Sequence, residues 1–109
     1  EKGLGDITVN KKTITVTFWD HGTQDGDMID ININGKAVFP GITLTKAPQS
    51  RTINLTAGAL VFGFTALNEG TLKPNTATVE FSCVTSGNAT QKYTLSKNQK
   101  ANMNITYSP

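Results

Sequence analysis

Hydrophobic residues that return at every second position restrict this chain more than any other feature. In Thr13-Ile14-Thr15-Val16-Thr17-Phe18, the apolar Ile14, Val16 and Phe18 share one face and the threonines share the other. In Ile29-Asp30-Ile31-Asn32-Ile33 the three isoleucines share a face, and Asp30 and Asn32 point away from it. A period of two is the side-chain period of a β-strand, and no stretch shows the 3.6-residue period of a helix. The second run ends in Asn34-Gly35, a pair suited to the positive φ that both centres of a type I′ hairpin turn require. Residues 36–39 are therefore the return strand, and Pro40-Gly41 ends it.

Further runs of the same kind cover residues 7–9, 52–55, 77–83, 93–95 and 101–107. Leu60-Val61-Phe62-Gly63-Phe64-Thr65-Ala66 is nearly all apolar and reads as a central strand covered on both sides. Ser86-Gly87-Asn88 turns one hairpin, and a long loop spans residues 67–76. Eight or nine short strands with turns at this spacing predict an all-β fold. One sheet of that size would leave an apolar face in water, so the expected architecture is a two-sheet antiparallel β-sandwich, immunoglobulin-like. No internal repeat or linker is present, and the 109 residues form one domain, 1–109.

A formal charge of +2, from scattered lysines and one arginine, is too weak for a nucleic-acid surface. No apolar stretch reaches membrane-spanning length. The chain opens Glu1-Lys2-Gly3-Leu4-Gly5, without the basic-then-apolar pattern of a leader, but it also lacks an initiator Met, so that start carries no conclusion. The single cysteine, Cys83, excludes an internal disulfide and falls on the inward face of its run, where a buried inert thiol is expected.

Chemistry concentrates in Trp19-Asp20-His21-Gly22-Thr23-Gln24-Asp25-Gly26-Asp27-Met28-Ile29-Asp30. Four of the eight acidic residues, Asp20, Asp25, Asp27 and Asp30, stand here. Two readings compete. Aspartates in tight loops commonly accept hydrogen bonds from backbone N–H groups, and that plain structural role explains the cluster. Alternatively, like charges held together are relieved by a cation, and Ca²⁺ takes carboxylate and carbonyl oxygens. On the second reading the metal ligands are Asp20, Asp25 and Asp27, with Asp30 weaker. The spacing is not an EF-hand, because Ile29 stands where that loop needs an oxygen ligand and the distal Glu is missing.

Other residues offer less. His21 is the only histidine and has no partner for a triad or a zinc site. Glu69 and Glu80 are far apart in sequence, which argues against paired-carboxylate catalysis, so the chain is not expected to be an enzyme. Trp19 faces away from Ile14, Val16 and Phe18 and is a candidate stacking residue for a sugar. Tyr93 and Tyr107 read as strand residues with a polar tip. Asn54, Asn88 and Asn104 open glycosylation-type triplets that chance alone explains in so Asn- and Thr-rich a chain. Asn68-Glu69-Gly70 and Pro74-Asn75-Thr76 suggest an ordered loop that bonds to itself or to the acidic loop, at the same end of the sandwich.

Trp19-Asp20, Asp25-Gly26-Asp27, Asn34-Gly35, Leu44 and Leu55, followed by Ala66-Leu67-Asn68-Glu69-Gly70 and Pro74-Asn75-Thr76-Ala77, together resemble a module that recurs in secreted and cell-envelope proteins of bacteria, notably Bacteroidetes. The resemblance runs from about Thr15 to Tyr107. Glu69 stands where that module commonly has Leu, and Leu72-Lys73 replaces its Pro-containing approach to Pro74. The resemblance implies a β-sandwich, an extracytoplasmic location (periplasmic, cell-surface or secreted) and a non-catalytic role. The expected function is thus structure, adhesion or contact with a protein or surface partner, calcium-stabilised at the acidic loop. The alternative is a carbohydrate-binding module that uses Trp19.

Overall fold

The computed structural model describes residues 2–21, 26–68 and 75–109. Among these residues the chain forms eleven strands and no helix, so none is long and apolar enough to cross a membrane. Strand β1 is Lys2–Gly3, β2 is Ile7–Val9 and β3 is Thr13–Trp19. Met28–Ile33 (β4) and Lys36–Thr43 (β5) form the hairpin announced by Asn34-Gly35, whose φ values of 53° and 82° are both positive. Gln49–Asn54 is β6, Ala59–Ala66 is β7 and Asn75–Phe81 is β8. Val84–Ser86 (β9), Thr90–Leu95 (β10) and Lys100–Tyr107 (β11) complete the order.

These strands make two sheets. The larger runs β5-β4-β7-β11-β2-β9, and the smaller runs β10-β8-β3-β6. All pairings in the smaller sheet are antiparallel. In the larger sheet β11 pairs antiparallel with β7 but parallel with β2 along Ile105–Tyr107 and with β1 at Ala101 and Asn102. Two strands exceed the sequence expectation because they are too short to show alternation: β1 lies beside β11, and β9 beside β2.

The alternating residues meet between the sheets. Ile14, Val16 and Phe18 of β3 are buried against Ile29 and Ile31 of β4, Phe62 and Phe64 of β7, and Val79 and Phe81 of β8 in one core. Ile33 is partly buried and packs on its margin. Phe62 stands edge-on to Phe64 at 5.0 Å and to Phe81, across the interface, at 5.2 Å. Such edge-to-face pairs add to the burial of the rings themselves.

Three details depart from the sequence expectation. Strand β7 is central within its sheet, between β4 and β11, but its outer face is covered only in part, with Gly63 buried beneath Asn102. Leu60, Phe62, Phe64 and Ala66 are buried, while Val61 on the outer face is 40% exposed. Pro40-Gly41 does not end β5. The strand continues to Thr43 through a register shift opposite Ile29 and Ile31, with Gly41 at φ 65°, and an edge strand can hold such a Pro and bulge. Cys83 is exposed, not buried. Strand β8 stops at Phe81, and Cys83 takes a left-handed φ of 63° as the chain leaves the smaller sheet for β9 in the larger one. That turn resets the alternation and sends the thiol outward.

The inner and outer faces of β7 give a direct test of this register. Phe62→Ala should cost about 3–5 kcal/mol of unfolding free energy, as truncation of buried aromatics does. Val61→Ala, one residue away, should stay within about 0.5 kcal/mol. Urea denaturation of the two variants measures both, and comparable losses would contradict the described faces.

Candidate functional site: a buried acidic corner

The end of β3 and the start of β4 place two aspartates in the interior at one end of the sandwich. Asp20 follows directly after Trp19 and is 0% exposed, and Asp27 directly precedes Met28 and is 1% exposed. Buried carboxylates need hydrogen bonds or a counter-charge, since a buried charge otherwise costs far more than one in water. Thr76, at the start of β8, reaches both: its Oγ1 donates to Asp20 Oδ1 at 3.1 Å, and its backbone N donates to Asp27 Oδ2 at 3.1 Å. One residue thus joins the carboxylate of the smaller sheet to that of the larger.

The backbone around the two acids is tied as tightly. Asp20 N donates to Thr45 O at 2.9 Å, and Leu44 N donates to Asp27 O at 2.7 Å, so the segment leaving β5 is held by both aspartates. Asn68, just after β7, clamps the other side. Its Oδ1 accepts from Met28 N at 2.8 Å, and its Nδ2 donates to Gly26 O at 3.2 Å. Asn68 and Thr76, at the two ends of the expected loop, thus bond to Gly26, Asp27, Met28 and Asp20, and the residues between them, 69–74, lie outside the described residues.

Tyr93 closes the corner from the core side. It sits on β10 opposite Ala77, the neighbour of Thr76 on β8. It is 4% exposed, and its ring lies 5.0 Å from that of Phe64 on the facing sheet. Its hydroxyl has no hydrogen-bond partner among the described residues. Burial pushes the Tyr93 hydroxyl pKa far above its ordinary value of 10.0, and the negative charges of Asp27 and then Asp20 push it further. This neutral OH group therefore stands in the field of two carboxylates. Thr78, on the next turn of the pleat from Thr76, is 2% exposed and also keeps a hydroxyl without a partner among the described residues.

The remaining sequence candidates are placed as follows. Asp25 lies outside the described residues, as do Glu69 and residues 70–74. Asp30 is on β4 but on the face opposite Ile29 and Ile31. There its Oδ1 accepts from Gly41 N at 2.8 Å and caps the β5 bulge, so it does not join Asp20 and Asp27. His21 is exposed. Trp19 is half-buried and stands opposite Thr78 in the ladder. Glu80 is exposed on β8 and accepts from Thr90 Oγ1 at 3.1 Å. Among the described residues no group of three or more His, Cys, Asp or Glu side chains gathers at one point. Thr76 is the residue that hydrogen-bonds to both carboxylates. A shallow groove lined by Asp6, Thr8, Asn34, Val61 and Asn104 lies at the other end of β4 and β7.

No family model, no curated protein and no solved structure matches this chain.

Two measurements test the corner. Asn68→Ala leaves Met28 N without its acceptor and should destabilise the fold by about 1–3 kcal/mol in urea unfolding, the cost of an unsatisfied buried donor. A change under about 0.5 kcal/mol would contradict the clamp. The second uses pH. Because the Tyr93 pKa is raised in the folded state, folding favours the protonated hydroxyl. Its contribution is complete below the unfolded value of 10.0 and declines as pH rises beyond it. Above about pH 10, wild-type stability should therefore fall by up to about 1.4 kcal/mol per pH unit more steeply than that of Tyr93→Phe. Parallel pH profiles for the two proteins would contradict the burial of this hydroxyl.

Proposed function

We propose that this domain is a non-catalytic module of a bacterial secreted or cell-envelope protein, serving structure, adhesion or contact with a protein or surface partner, and that Ca²⁺ stabilises its acidic corner. The observation that carries the metal reading is the burial of Asp20 and Asp27 side by side through Thr76, one on each sheet. Two negative charges in the interior raise the free energy of the folded chain, and a divalent cation between them would offset that cost and link β3 to β4. A hard cation suits the carboxylate oxygens of the pair. The extracytoplasmic role rests on the resemblance of the Trp19-Asp20, Asp25-Gly26-Asp27, Asn34-Gly35 and Pro74-Asn75-Thr76-Ala77 segments to the recurring bacterial module.

A second reading, a carbohydrate-binding module, draws support from Trp19, which is only partly buried at the end of β3. Its fluorescence should respond to a binding glycan, and a flat response across a glycan panel would remove that reading.

The metal reading makes a sharper statement. Thermal melts of the wild type should shift upward as Ca²⁺ is added, by mass action on the folded state, and return with chelator. Asp20→Asn and Asp27→Asn should lose the shift, whereas Asp30→Asn should keep it. Coincident wild-type curves with Ca²⁺ and with chelator would overturn the reading.

A further inference from the structure

The buried hydroxyl of Tyr93 has a place in the corner that burial alone does not explain. Apolar residues stand near its ring: Ala77 lies opposite in the ladder, Phe64 lies across the interface, and Leu95 points inward two residues on. Phenylalanine would pack there as well. A hydroxyl carried into such surroundings without a partner destabilises the fold. It becomes favourable only if something at the corner accepts or coordinates it.

The placement of the strands indicates what that is. Ala77 of β8, opposite Tyr93, follows Thr76, and Thr76 holds both Asp20 and Asp27. The ring is fixed between the sheets and cannot swing into water, because the residue is 4% exposed and packed on Phe64. Trp19 pairs with Thr78 and Tyr93 with Ala77, so Asp20, the residue after Trp19, and Tyr93 lie on either side of Ala77 at one end of the smaller sheet, and the charges of both aspartates act on its hydroxyl. A cation bridging two carboxylates still needs further oxygens, since Ca²⁺ takes six to eight. We propose that the Tyr93 hydroxyl is a protein oxygen of the Asp20–Asp27 cation site, so that a bound divalent cation is held from the smaller sheet by both β3 and β10 and from the larger sheet at the start of β4.

This inference rests on the metal reading above and adds a ligand from β10. It also predicts that the effect of one substitution changes sign with the metal. In chelator, Tyr93→Phe removes a hydroxyl that lacks a partner, so the variant should melt at or above the wild-type temperature. In saturating Ca²⁺ the order should reverse, and the variant should need about tenfold more Ca²⁺, or more, to reach half its shift.

Melts of the wild type, Tyr93→Phe and Asp27→Asn against Ca²⁺ concentration separate the outcomes. A reversed order with weakened affinity in Tyr93→Phe supports the proposal. Full Ca²⁺ affinity in Tyr93→Phe, with the shift lost in Asp27→Asn, overturns the role of Tyr93 and leaves the carboxylate site standing. No response in the wild type overturns both. A measurement on the wild type stands if Tyr93→Phe does not fold. The chain has two tyrosines, so [¹³C]-labelled phenol carbons give two NMR signals, assigned with Tyr107→Phe. The Tyr93 signal should move on addition of Ca²⁺ while that of Tyr107 stays, and a stationary Tyr93 signal in protein whose melt does shift overturns the proposal.

Discussion

Two sheets can stay together only if the side chains between them exclude water over the whole interface, and here a cluster of aromatic rings meets that condition. Phe62 and Phe64 come from the central strand of the larger sheet, and Phe81 and Tyr93 from neighbouring strands of the smaller one. Their contacts run from one layer to the other, so the position of each strand in its sheet is fixed by what its rings touch opposite. The hairpins, the edge bulge of β5 and the parallel docking of β1 and β2 on β11 are arranged around that interface. It also determines the chemistry at its end. Because the aromatic core extends as far as Tyr93, the two aspartates that cap the interface are drawn into the interior and not left in solvent.

The acidic corner is where local and global demands diverge. Asx capping explains aspartates in a turn, and Asp30 behaves in that way, with its carboxylate accepting from Gly41 N on an outer face. Asp20 and Asp27 differ. Each does hold a backbone or hydroxyl partner through Thr76, but both carboxylates are removed from water in the same place. Hydrogen bonds of that kind satisfy oxygens without neutralising charge. The corner thus places two carboxylates of opposite sheets in the interior on the same hydrogen-bonding residue, Thr76.

Much of the fold was legible because alternation reports burial directly. Ile14, Val16, Phe18, Ile29 and Ile31 all face the core as their spacing implies, and the positive φ of Asn34 and Gly35 follows from the turn chemistry of that pair. Alternation fails where the chain changes sheet. Cys83 continues the pattern of residues 77–81 on paper, but the left-handed residue between β8 and β9 inverts it. It also says little about which faces are covered, and Val61 is exposed in the most apolar run of the chain. At the site, Asp20 and Asp27 were legible as a local concentration of charge. Their partners were not, because Thr76 lies 56 residues from Asp20, and Tyr93 reaches the corner only through the β10–β8 pairing. Strand order between distant segments is not written in any local pattern, so Tyr93 read only as a strand residue with a polar tip.

The cation proposed between the two buried carboxylates is open to direct observation. A crystal structure from protein grown with Ca²⁺ tests it most directly. A peak about 2.3–2.6 Å from carboxylate oxygens of both Asp20 and Asp27 is the expected result. A corner closed by direct hydrogen bonds or by water at saturating Ca²⁺, with no such peak, would contradict the account.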